Sequence, residues 1–229
     1  GIQTFLGQSI TFFDPDPESP RMQRWQVGIQ RELPGQMVLD VAYVGNKGSQ
    51  IQTSRNINST PLQFLSASPV RDQATIDYLS ANVPNPFFNL MPVTAGTAFR
   101  SATIARERLL RPYPQFDAVN TTTNEGESWY NALQMGLQKR FTAGYTIGVN
   151  YTYSQFEEAT EVQNGAGAAP FRMISNQDVP HRQSTSGIYE IPLGGGRRYG
   201  SSTNAATDAI LGGWQFQGIY TYQSGFPVG

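Results

Sequence analysis

The sequence predicts an all-β fold, an antiparallel up-and-down meander of about six strands. Three observations predict it: a hairpin that occurs twice at one offset, connections sorted by length, and aromatic residues gathered near both ends of the strands. The hairpin comes first. Residues 25–33 run into Pro34-Gly35 and out through 37–43, and residues 133–141 run into Ala143-Gly144 and out through 145–151. Gly28 and Gly136, Gln30 and Gln138, Leu33 and Phe141, and Tyr43 and Tyr151 are each 108 residues apart. In both copies odd positions are mostly apolar and even positions mostly polar or tiny. That period of two describes paired strands with one greasy and one wet face.

The elements follow in order. Residues 1–20 read as irregular, because Pro15, Pro17 and Pro20 forbid a helix or a central strand. The first hairpin, 23–44, is expected to close at Gly45-Asn46-Lys47-Gly48. Residues 46–127 carry many turn formers, with a short helix over 70–81, and read as one long loop. The second hairpin spans 129–154. A loop over 155–181 holds Asn164-Gly165-Ala166-Gly167-Ala168. The last pair, 183–222, is interrupted by Pro192-Leu193-Gly194-Gly195-Gly196-Arg197-Arg198 and ends on a strand with Trp214, Phe216, Tyr220 and Tyr222 on one face.

Short and moderate connections thus fall at one end of the strands and long ones at the other. A soluble sandwich has no reason to sort its loops in this way, whereas an outer-membrane barrel does so, with short periplasmic turns and long extracellular loops. With the turns set as periplasmic, Trp25, Tyr43, Trp129, Tyr151, Tyr153 and Tyr222 fall near the loop ends, and Phe141, Tyr145, Trp214 and Phe216 near the turn ends. Two such bands, with aliphatic residues between them, match interfacial girdles. Arg31 and Lys139 are the cationic exceptions on the odd face, close enough to the turns to snorkel. The expectation is a transmembrane β-barrel segment, part of a larger barrel, since about six strands cannot close a large one.

Composition narrows the alternatives. The net charge of −1 gives no field that would call for nucleic acid or an anionic surface. Charged residues make up only 14%. Cysteine is absent, which excludes disulfides and thiol chemistry. No apolar run approaches a transmembrane helix, and the mean hydropathy is −0.39, a test that does not see membrane strands. The chain lacks an initiator Met and a leader-like start, and it is read as an internal fragment.

The wording of these elements carries a resemblance. Arg24-Trp25-Gln26, Arg31-Glu32-Leu33-Pro34-Gly35 and Val41-Ala42-Tyr43-Val44-Gly45-Asn46 begin it. Arg111-Pro112-Tyr113-Pro114-Gln115-Phe116, Tyr130-Asn131-Ala132-Leu133-Gln134, Lys139-Arg140-Phe141 and Tyr151-Thr152-Tyr153-Ser154 continue it. Asp178-Val179-Pro180-His181-Arg182, Tyr189-Glu190-Ile191-Pro192, Gly212-Gly213-Trp214 and Gln223-Ser224-Gly225-Phe226-Pro227 complete the series in order. Over residues 20–229 the chain resembles the barrel of Oar-like TonB-dependent receptors. The resemblance implies an outer-membrane receptor that captures a ligand at its outer loops and passes it through the lumen. It implies as partners outer-membrane lipid, the receptor's own plug domain and the TonB energy-coupling protein. The plug, a TonB box and an N-terminal domain are not visible in the chain.

Catalysis is not expected. The single histidine, His181, has no Cys or second His near it for zinc and no Ser-His-Asp arrangement, and reads as a strand-entry residue. Asp14, Asp16 and Glu18 have oxygen-ligand character, but the prolines between them remove the glycine-centred turn of a calcium loop. Glu157, Glu158 and Glu161 read as a solvated acidic patch, and Gly194–196 with two arginines lacks the context of a phosphate loop. The sequons at Asn58 and Asn120 carry little meaning in a bacterial outer-membrane chain. No cofactor or metal is expected. Function is expected on the inward face, where Arg24, Gln26, Gln30, Glu32 and Asp40 of the first hairpin would line the lumen. Gln134, Gln138, Arg140, Asn150 and Thr152 of the second, and Gln215 and Gln217 of the last strand, would join them. Gly28, Gly136 and Gly148 leave room on this face for a close neighbour or a bend. Two other readings are a passive porin or surface adhesin barrel, and a soluble carbohydrate-binding β-sandwich using Trp25, Trp129, Tyr130 and Trp214 as platforms.

Overall fold

The period of two becomes a sheet of long antiparallel strands. The computed structural model describes residues 5–92, 94–167, 169–202 and 204–228. Residues 1–4 of the irregular lead and Ala168 of the Gly-Ala loop lie outside the described residues. In chain order come β1 (Ile10–Phe12), β2 (Arg21–Leu33) and β3 (Met37–Asn56), then α1 (Gln73–Ser80), β4 (Asn82–Pro84), α2 (Thr97–Arg100), β5 (Thr103–Ala105) and α3 (Arg106–Leu109). β6 (Val119–Thr142), β7 (Tyr145–Ala159), β8 (Met173–Ile174), β9 (His181–Glu190), α4 (Ala205–Leu211) and β10 (Gln215–Gln223) complete the chain. The main sheet has the order β10-β9-β7-β6-β3-β2, with β1 added to β6 and β8 to β7. β7–β9 and β9–β10 are antiparallel.

Contacts divide the chain into two units. One, the wall unit, comprises Met22–Lys47, Ser128–Glu158 and Met173–Gly229. The other, the loop unit, comprises Gly1–Arg21, Gly48–Glu127 and Ala159–Arg172.

In the wall unit the hairpin turns show why the repeat reads as it does. Ala143 and Gly144 sit at φ 53° and 83°, the paired left-handed geometry of a tight type I′ connection. The first turn takes three residues, 34–36, with Gly35 and Gln36 left-handed. β3, β6 and β7 continue past their expected outer ends. Gly45-Asn46-Lys47-Gly48, expected to close the first hairpin, lies inside β3. Gly45 is not a turn glycine: a Cβ built there would stand inside the indole of Trp25 on β2. Its role is close approach, the other standard meaning of a strand glycine. The connection that begins with Pro192 also holds α4, capped by Asn204, whose side chain accepts from Thr207 N. Asp208 of that helix accepts from Gly195 N and pins the glycine run.

The loop unit corrects the expectation of one structureless loop over 46–127. β3 runs on to Asn56 and β6 begins at Val119, so the connection is shorter, and it is folded. The helix expected over 70–81 is α1, whose N-cap Asp72 accepts from Thr75 N. β4 and β5 form a small antiparallel pair of their own. Phe99, 1% exposed, packs with Ala95 and Ile104, and Val83, Phe87, Met91 and Leu109 close around them. Two buried asparagines replace regular structure as organisers. Asn58 donates to Tyr113 O at 3.0 Å and Phe116 O at 2.9 Å, and accepts from Tyr113 N at 2.9 Å. Asn85 donates to Phe99 O and Ser101 O and accepts from Phe87 N. Each side chain satisfies backbone groups that a loop would otherwise bury unpaired. The lead expected to be irregular contributes one strand, β1, parallel to β6 through Ile10↔Val119. The loop expected over 155–181 likewise gives residues 155–159 to β7 and residues 173–174 to β8.

Candidate functional site, a two-faced wall

The site is the wall unit's sheet, and alternation builds it. On the apolar face, cross-strand register assembles the aromatics into rows. Tyr145 pairs with Tyr189, and Tyr189 with Phe216; Tyr151 pairs with Gln183, and Gln183 with Tyr222. At roughly 3.3 Å per residue, the stretch of β7 from Tyr145 to Tyr153 measures roughly 26 Å before tilt, the order of an outer-membrane apolar band. Trp25, Tyr43, Phe141, Tyr145, Tyr153, Trp214, Phe216 and Tyr222 are all exposed, and Trp129 and Tyr151 are half-buried. Several carry a polar tie at one end of the ring. Tyr43 Oη donates to Asn131 Oδ1 at 2.6 Å, and Trp214 Nε1 donates to Ile210 O at 2.7 Å. Such rings, apolar in body and hydrogen-bonded at the tip, suit an interface. Val27 at 70% exposure and Ile29 at 73% show how openly aliphatic residues stand out of the sheet.

His181 opens β9 and sits among these aromatics, its Nδ1 2.8 Å from Tyr151 Oη and its ring 5.2 Å from that of Tyr153. Lys139 departs from the snorkelling expectation. Its ammonium lies 4.0 Å from the Tyr145 ring centroid and donates to Thr142 Oγ1 at 2.6 Å, and the residue is only 7% exposed. A partner within reach holds the cation down. Arg31 stays exposed.

The opposite face carries the expected polar residues, and the structure brings six of them together. Gln30 and Asp40, Gln134 and Gln138, and Asn150 and Thr152 surround one hollow of about 660 Å³. Gly136 forms its floor, where a Cβ would approach Asn150 Oδ1 to 3.4 Å. Gly28 has the same meaning on β2, with Ala42 at 3.2 Å from its built Cβ. Gln217 lines a neighbouring hollow of about 640 Å³ with Gln138 and Ser186. Gln215 instead donates to Glu190, which is also paired with Arg197 at 2.7 Å. Arg24, Gln26, Glu32 and Arg140 are exposed and line none of these hollows.

A third hollow, about 420 Å³, lies beyond Gln134 and Thr152 and was not foreseen from the sequence. It is lined by Asn46, Tyr130, Ser154, Phe156, Asp178 and Arg182 among others. Asn46 was read as a turn and Ser154 as a strand end, so their alternation was not followed outward. Asp178, 4% exposed, accepts from Phe156 N at 2.8 Å and fastens the entry of β9 to β7. The Asp-Val-Pro-His-Arg run was the available signal. Among the described residues no three His, Asp or Glu side chains gather as a metal site. Asp14 accepts from Asp16 N in a local turn, and Glu18 accepts from Gln50.

A sheet exposed on both faces, aromatic and aliphatic on one and amide-rich on the other, is the wall of a membrane barrel. A soluble sandwich would bury one face against a second layer, and here β2 and β10 are exposed along nearly their whole length. The family model described as outer membrane beta barrel domain matches residues 1–229, and the chain belongs to that family. Its place is the outer membrane of a Gram-negative bacterium. Searches among curated proteins and among solved structures find no match.

Proposed function

We propose that this wall belongs to an Oar-like TonB-dependent receptor, which captures a ligand at its outer loops and passes it along the polar face of the strands. The observation that carries the reading is the ordered series of wall motifs, from Arg24-Trp25-Gln26 to Gln223-Ser224-Gly225-Phe226-Pro227, laid on a two-faced sheet. The receptor's own plug domain, TonB and membrane lipid are its partners, and nucleic acid is not. The chain performs no chemical step: the polar face offers amides and hydroxyls for transient binding, which is the requirement for passage. The alternative is a passive porin or adhesin barrel. Two measurements on the complete protein from outer membranes separate them. A receptor is retained by immobilised TonB periplasmic domain and is electrically silent in a planar bilayer. Steady open-channel conductance without TonB retention would overturn the reading in favour of a porin.

A further inference from the structure

We propose that the polar face selects a neutral, hydroxyl-rich solute, an uncharged oligosaccharide, and guides it along three linked hollows. The inference rests on the reading of the wall as a passage and names the class of its cargo. The hollows are continuous. The middle one shares Gln134 and Thr152 with the outer one, and Gln138, Gly148 and Ser186 with the inner one. From Tyr130 to Gln138 the track runs roughly 26 Å along β6.

The hollows are poor in charge, and the inner one sets Gln138, Thr146, Ser186 and Gln217 among Ile147, Ile188 and Ile219. Among the described residues that line the three hollows, only Asp40, Asp178 and Arg182 carry charge. Asp178 is committed to Phe156 N, and both it and Arg182 stand at the outer end. The inner hollow has no charged lining residue among those described. An ionic solute crossing that stretch would meet no counter-charge among its lining residues. A sugar hydroxyl is both donor and acceptor, as is each Gln or Asn amide, so water contacts exchange for amide contacts at near-even cost. Tyr130 and Phe156 in the outer hollow add ring surface for the apolar side of a pyranose. Gly136 and Gly148 lower the floor, so the solute can approach the backbone.

Calorimetric titration of the complete, detergent-extracted protein tests this, with maltohexaose, cellohexaose and xylohexaose as neutral probes and hexagalacturonate as the charged one. Expected is binding of at least one neutral hexasaccharide with Kd below about 1 mM, and at least about tenfold weaker binding of hexagalacturonate. Gln134→Ala with Gln138→Ala should weaken the neutral probe about tenfold or more. Thr152→Val, which removes a single hydroxyl, should weaken it less and guards against misfolding of the double variant. Hexagalacturonate binding as tightly as the neutral sugars, or none of the three binding, overturns the proposal. Unchanged affinity in folded Gln134→Ala/Gln138→Ala protein overturns the placement of the track. TonB retention of the same preparation keeps the outcomes distinct: retention without sugar binding sinks the cargo class alone, and sugar binding without retention sinks the energised reading.

Discussion

The indole of Trp25 on β2 lies where Gly45 of β3 would carry a side chain. A large aromatic at the loop end of one strand is therefore seated by the absence of a Cβ on the next. Gly45→Leu should expel the ring and destabilise the barrel by about 1–3 kcal/mol, the usual cost of overpacking. Thermal unfolding in detergent and Trp emission measure this. Trp25→Ala in the same chain should recover part of the loss, because the two residues share one space. Additive losses would count against the contact.

Adjacent residues of β7 should report opposite surroundings. The chain has no cysteine, so a single introduced thiol is unambiguous. Asn150→Cys, on the polar face, should react with a membrane-impermeant maleimide in reconstituted barrel. Val149→Cys should stay unlabelled until the protein is unfolded. Equal labelling of both in the folded state would contradict the two-faced wall.

The turn at residues 143–144 holds an alanine in left-handed geometry, φ 53°, where a Cβ is disfavoured. Ala143→Asn creates the Asn-Gly pair that type I′ turns prefer and should stabilise the hairpin by about 0.5–1 kcal/mol. A higher unfolding midpoint is the expected readout; a lower one would mean that the strain is held for another purpose.

In the loop unit, hydrogen bonds from Thr75 side chain and backbone, then from Ser66, hold the Asp72 carboxyl down to about 2 from its ordinary 3.8. A carboxylate with a depressed folded value contributes stability that is whole above its unfolded value. Protection of α1 amides should therefore be flat at neutral pH and fall as pH drops below about 4 toward 2. In Asp72→Ala that acid-dependent loss should vanish, which hydrogen exchange on residues 73–80 will show.

The wall was largely legible in the sequence, since a period of two needs no distant information. β2, the inner part of β3, β7, β9 and β10 follow from alternation, and the tight turn at Ala143-Gly144 from its composition. Gly45 hid the outward extension of β3, because a glycine that makes room for a ring across the sheet looks the same as one that turns a corner. The partner that decides between these, Trp25, lies twenty positions away. The three hollows were legible only in their middle, where the alternating glutamines announced them. Asn46, Ser154, Asp178 and Arg182 converge through register, which no local pattern encodes. The core around Phe99 was invisible for a related reason: its aliphatic and aromatic members are scattered among prolines and asparagines without a helix or strand period.

Ile57 N donates to Val119 O at 2.9 Å, and Asn56 Oδ1 accepts from Val119 N at 3.1 Å. The long segment between them departs and returns through a single doorway, with its own core inside. A segment with joined ends and a core of its own is the arrangement that tolerates insertion and exchange. Here the lead and Asn164 are tied to it as well, through Gly96 N to Gly7 O and Asn164 Nδ2 to Thr60 O. Residues 57–118 should thus change in concert with the lead and the 159–172 segment that share their unit. That unit can then diverge quickly, while the paired strands of the wall change slowly.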